Sequence, residues 1–267
     1  MRKLLLVGSV AAAGIAAAVF LSVINWSSNG PDPATALARS QAAEDEVLAQ
    51  LTEGKALHQK ILVYTRHGPA AEMIRQRSTE WYLPERHISE LWLLAGAAGE
   101  IVSVRGWVKS ESGETLQDIT TVGSEVVTRD ISSGAEVRTP LKGLSADAVA
   151  EGAATRTREL LQATRAGEAV IAGNGQVAGR TTLRIDQETA LSDPIVGEGF
   201  SLPYMDDLKP VKLVKRTELD EQSFQVLRYS LITTGSLGDE QLVEEWQRVE
   251  FEVVSPSTVP GDGLELR

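Results

Sequence analysis

The spacing of apolar residues changes twice along this chain. Residues 34–52 are rich in helix formers, with Leu37, Val47, Leu48 and Leu51 as the apolar positions. Asp32 is placed to cap that helix, Pro33 suits its first position, and Gly54 gives a stop. Glu44-Asp45-Glu46 reads as its solvated side. From residue 60 the period becomes two. Ile61–Tyr64, Glu80–Leu83, Ile88–Leu94, Ile101–Lys109, Ile119–Val122 and Val126–Ile131 read as successive strands. In the fourth, Val102, Val104 and Val108 share one face, while Ser103, Arg105, Trp107 and Lys109 share the other. Ser132-Ser133-Gly134 supplies a turn.

A second helix is predicted from an N-cap at Ser145 to about Ala163, with Leu144 and Val149 as a hydrophobic staple. Strands then resume. Gly173-Asn174-Gly175 predicts a tight hairpin between Ala169–Ile171 and Gln176-Val177. Leu183 and Ile185 alternate with polar neighbours. Residues 193–210 read as a long connection rich in Pro, Gly and Asp. Val211–Thr217 and Phe224–Ile232 are further strands. In the last one Val249, Phe251 and Val253 face one way, and Arg248, Glu250 and Glu252 the other. The order of elements predicts an α+β fold, a large curved antiparallel sheet covered by helices.

The first 26 residues differ from the rest. Arg2 and Lys3 precede an uncharged stretch from Leu4 to Trp26, long enough to span a bilayer core. Its Ala triplets lie inside the apolar run, which favours a retained anchor over a cleaved signal. The expected organisation is therefore a stub at 1–3, a transmembrane anchor at 4–26 and a linker at 27–33. An extracytoplasmic domain at 34–254 and a disordered tail at 255–267 follow. Basic residues before the span place the N-terminus in the cytoplasm and the domain outside the cell membrane, as in a bacterial envelope protein.

Charge and composition narrow the function. The net charge is −11, and the part after residue 26 carries −13, so nucleic acid is not an expected partner. There is no cysteine, which excludes disulfides, thiolate metal sites and Cys nucleophiles. His58, His67 and His87 fall in no zinc-binding spacing. Glu85 and His87 share a strand face but read as surface polar groups. Asp206-Asp207 and Asp239-Glu240 lack an EF-hand frame. No catalytic residue, metal or cofactor is predicted, and the chain is not expected to be an enzyme.

Two segments carry a family resemblance. Glu80-Trp81-Tyr82-Leu83-Pro84-Glu85-Arg86, followed by Glu90 and Leu91, resembles the aromatic and Pro/Arg stretch of paired early strands in LolA-type lipoprotein carriers. Leu183 to Leu191, with its Asp-x-x-Thr-x-Leu ending at Asp186, Thr189 and Leu191, resembles the turn after a later strand. The same resemblance takes in RseB-type envelope sensors and mycobacterial lipoprotein glycolipid carriers, over residues 34–254. It implies an open half-barrel whose apolar concave face, under a helical lid, accepts an acyl chain or a hydrophobic peptide. Trp81, Trp92, Trp107, Val104 and Phe251 are the candidate cavity lining, with core packing as the competing role. The expected function is a membrane-tethered protein binding a lipid or a lipoprotein acyl chain. The alternative is an envelope sensor or scaffold that binds a protein partner.

Overall fold

The computed structural model describes residues 32–68, 83–97, 100–142, 169–191, 208, 210–235 and 237–259. The expected anchor at 4–26, the strand at Glu80–Leu83 up to Tyr82, the helix at 145–163 and most of the 193–210 connection lie outside these residues. Among the described residues no helix is long and apolar enough to cross a membrane.

One helix and eleven strands are described. Helix α1 runs Pro33–Ala49, and the Asp32 carboxylate accepts the Thr35 N–H at 3.0 Å and the Thr35 hydroxyl at 2.6 Å. The predicted cap is thus present, and these bonds hold the Asp32 carboxyl below its usual range. The strands are β1 (Ala56–Thr65), β2 (Arg86–Ala95), β3 (Ile101–Ser110), β4 (Thr115–Val122), β5 (Glu125–Asp130) and β6 (Glu136–Pro140). After the second gap come β7 (Ala169–Val177), β8 (Arg180–Ala190), β9 (Pro210–Asp220), β10 (Val226–Gly235) and β11 (Glu240–Val254).

All eleven form a single antiparallel sheet in the order β6-β5-β4-β3-β2-β1-β11-β10-β9-β8-β7. Each pair but one joins strands adjacent in sequence. The exception is the central pair, where β1 meets β11 with Ala56 opposite Val254. Two meanders are therefore joined by the first strand of one and the last strand of the other.

Helix α1 lies across one face of this sheet. Near its start Ala36 and Leu37 pack with Leu183, Ile185, Leu219 and Val226. Past its end Leu51, with Val47 and Leu48, packs against Leu57, Leu93, Ile101 and Val104. The apolar positions expected for the helix thus serve two separate clusters, one on each meander.

Several ladders carry bulges, among them three that alter the faces or the turn expected from alternation. In β11, Glu250 pairs with Lys60 and Arg248 with Ile61, so Val249 has no partner and is 46% exposed. Arg248 is thereby turned to the helix face, away from Glu250. In β3, Leu94 pairs with Ser103 and Ala95 with Ile101, leaving Val102 over. Val102 then packs with Trp92 and Trp107, whereas Val104 lies with the helix-face cluster. The third bulge lies between Ile171 and Gly173.

That last bulge corrects the predicted hairpin. Strand β7 continues through Gly173-Asn174-Gly175, and the turn is Ala178-Gly179, with φ of 48° and 79°. Positive φ at both central residues is what a two-residue turn with this twist requires. Gly175 is needed for another reason. A Cβ there would stand 2.5 Å from the Glu218 carboxylate and 3.0 Å from the Thr182 hydroxyl.

Two turns share one design. At β5–β6 the Asp130 carboxylate accepts the Ser133 N–H, and Asp130 N–H donates to the Ala135 carbonyl. At β9–β10 the Asp220 carboxylate accepts the Ser223 N–H, and Asp220 N–H donates to the Gln225 carbonyl. The residue after the serine has positive φ in both, 71° at Gly134 and 60° at Phe224. The first of these confirms the turn expected at Ser132-Ser133-Gly134. At the chain's far end, Pro256–Thr258 forms a short 3-10 turn, and Val259 packs on Ala56, Trp92 and Leu94. The described residues thus continue five positions past Val254.

Candidate functional site

The expected lining residues that are described fall on two opposite faces of the sheet. Trp81 lies outside the described residues. Val104 and Phe251 belong to the cluster under the helix. Trp92 and Trp107 lie on the opposite face, packed with Ala56, Leu94 and Val259. The split follows from register: Leu93 pairs with Val104 on the helix face, while Trp92 pairs with Arg105 and His58 on the other.

The helix face carries the apolar surface. Leu91 and Ile119 on the first meander, and Ile171, Trp246 and Phe251 on the second, are only partly covered. Between the two clusters sits a charged pair. Arg248 Nη1 donates to the Glu44 carboxylate of α1 at 2.5 Å, and Glu44 is 2% exposed. Glu44 was expected on the solvated side of the helix. The bulge at Val249 instead brings a guanidinium beneath it. The Arg248 guanidinium also lies 4.1 Å from the Phe251 ring centroid. Among the described residues, Arg248 Nε and the Ser40 hydroxyl are buried without a hydrogen-bond partner.

The opposite face is polar and closely paired. Arg216 makes two bonds to Asp186, of 2.8 and 2.7 Å, which hold the guanidinium more firmly protonated than usual. Glu218, 1% exposed, accepts from Arg228 on one oxygen and from the Thr182 hydroxyl, at 2.7 Å, on the other. Arg105 pairs with Asp118.

Where β2, β1 and β11 adjoin, His58, Glu90 and Glu250 meet on this face. His58 is 7% exposed and stacks on Trp92 with centroids 4.5 Å apart and planes 5° apart. Its Nε2 is 3.1 Å from a Glu90 oxygen and its Nδ1 is 3.1 Å from a Glu250 oxygen. Trp107 Nε1–H donates to the second Glu90 oxygen at 2.9 Å. Lys60 Nζ lies 3.8 Å from Glu90 and 3.7 Å from Glu250. One oxygen or nitrogen from each of His58, Glu90 and Glu250 falls within 4.8 Å of the others. This group is not legible in the order of residues along the chain. Its three members are far apart along the chain, and only the β2·β1·β11 register unites them.

No family model matches the chain, and no curated protein matches it. Among solved structures it is similar to the lipoprotein LppX of Mycobacterium tuberculosis, at 12% identity over 83% of this chain and 97% of that one, TM-score 0.39. It is similar to LprF of Mycobacterium bovis, at 12% identity over 85% and 98%, TM-score 0.39. It is also similar to MucB in complex with periplasmic MucA, at 13% identity and TM-score 0.33, over 83% of this chain and 57% of that one.

Proposed function

We propose that the protein is a membrane-tethered, extracytoplasmic binding protein that holds an acyl chain or a similar apolar segment against the helix face of its sheet. The observation that carries this reading is the incomplete cover of that face. Leu91, Ile119, Phe251, Ile171 and Trp246 all neighbour buried clusters, yet each keeps accessible surface. Burying each methylene of a ligand there is worth about 0.8 kcal/mol, so a single acyl chain can bind without any polar contact.

The tether is read from residues 4–26 and the charge of Arg2 and Lys3. A protein fixed in this way receives or presents cargo beside its membrane. The reading contains no catalytic step.

The test uses the full-length protein purified in a detergent that lacks acyl chains, with released lipids measured by mass spectrometry. Wild type is expected to retain acyl lipid. Phe251→Ala should lower the retained fraction several-fold, and Lys60→Gln, on the opposite face, should not. Wild type free of acyl lipid, or equal loss in both variants, would overturn the reading.

A further inference from the structure

The His58 ring poses a hydrogen-bonding problem. A neutral imidazole has one N–H and one lone pair. Here a carboxylate oxygen stands 3.1 Å from each ring nitrogen. Two acceptors cannot share one donor, so one of the two contacts needs a further proton, on the ring or on a carboxyl, or a metal ion between its atoms.

The two ends differ. The Glu90 end is closed: Trp107 N–H holds the other Glu90 oxygen, and Trp92 lies flat against the ring. That carboxylate is set to accept Nε2–H and fix the tautomer, leaving the Nδ1 lone pair free. The Glu250 end is open, with the Glu250 side chain 39% exposed, so water can complete a coordination shell. A carboxylate that orients a histidine through one nitrogen while the other ligates a metal is a common arrangement. An imidazole with one carboxylate and waters suits a borderline divalent ion such as Zn2+.

We propose that His58 Nδ1 and Glu250 bind a divalent transition-metal ion on the face opposite α1, with Glu90 as the positioning residue for the ring. Lys60 Nζ, 3.7 Å from Glu250, opposes the ion and tunes its affinity downward. The site is independent of the acyl-binding reading, since it lies on the other side of the sheet.

The probe is Zn2+ alone, titrated into the untagged full-length protein in detergent. Affinity is read by calorimetry, and the imidazole nitrogens by NMR. One equivalent should bind with a shift at His58 Nδ1. Glu250→Gln should weaken binding at least about tenfold, and Glu90→Gln by about tenfold through loss of orientation. Lys60→Gln should tighten it. His58→Gln should abolish it, and Glu250→Gln, at a partly exposed position, guards against misfolding as the cause. Binding that is unchanged in Glu250→Gln, a shift at Nε2 alone, or no saturable binding by wild type would overturn the proposal.

Discussion

Arg248 reaches Glu44 because Val249, the residue beside it, has no partner in the β1·β11 ladder. Without that extra residue Arg248 would share a face with Lys60 and Glu250, far from the helix. The bulge thus converts an ordinary surface arginine into a buried cross-link between α1 and the central strand.

Glu44→Gln is expected to destabilise the fold by about 3–5 kcal/mol, because a buried guanidinium loses its counter-charge. The double variant Glu44→Leu/Arg248→Met should recover most of this loss, since it also removes the orphaned Arg248 Nε. Urea unfolding midpoints of the single and double variants decide the point. If the double variant is as unstable as Glu44→Gln, the pair is not the cause.

Gly175→Ala should cost about 1–3 kcal/mol through collision with the buried Glu218 carboxylate. Asn174→Ala, at an exposed neighbour, should stay within about 0.5 kcal/mol of wild type. The opposite order in thermal unfolding would restore the hairpin turn expected at Gly173-Asn174-Gly175.

The β5–β6 turn offers two further handles. Gly134→Ala forces a side chain into positive φ and should cost about 1–2 kcal/mol. The Ser132 hydroxyl and then the Ser133 N–H hold the Asp130 carboxyl below its ordinary value. A lowered folded-state value stabilises the protein above the ordinary Asp range, and that gain is lost as pH falls through the folded value. Asp130→Asn should therefore be less stable than wild type at neutral pH. The gap should close on acidification, as followed by unfolding midpoints across an acid series.

His87 acts in the same pH direction for a different reason. Burial pushes its imidazole below the ordinary 6.5, outweighing its hydrogen bond to the Pro84 carbonyl. The fold favours the neutral ring, so its contribution is intact above 6.5 and falls as pH drops from there toward the folded value. His87→Gln should flatten the stability profile between about pH 7.5 and 5, and an unchanged slope would refute this assignment.

Much of the fold was legible in the chain. The Asp32 cap, the positions of strands β2 to β5 and the turn at Ser132-Ser133-Gly134 all depend on neighbours a few residues apart. Partners set by bulges were not legible. Alternation placed Arg248 with Glu250 and Val102 with Val104, and one unpaired residue in each strand reversed both. Nor does periodicity reveal that His58 will stand between Glu90 and Glu250, because the pairing order of the strands decides it. Trp92, Trp107, Val104 and Phe251 were chosen for size and apolarity, which do not say which face a residue takes once a bulge intervenes. Strand β6, short and wholly exposed, gave no apolar pattern to read.

The seam between the meanders also dictates an order of assembly. Strand β1 can pair with β2 early, but its other edge must wait for β11, about 200 residues later in the chain. Until then the first meander carries an open strand edge able to pair with another copy. For a chain synthesised from its N-terminus onward, that edge emerges first and is satisfied last. A chain cut short before β11 would be left with two half-sheets and a permanently adhesive edge, which makes the extreme C-terminal strand the part this protein can least do without.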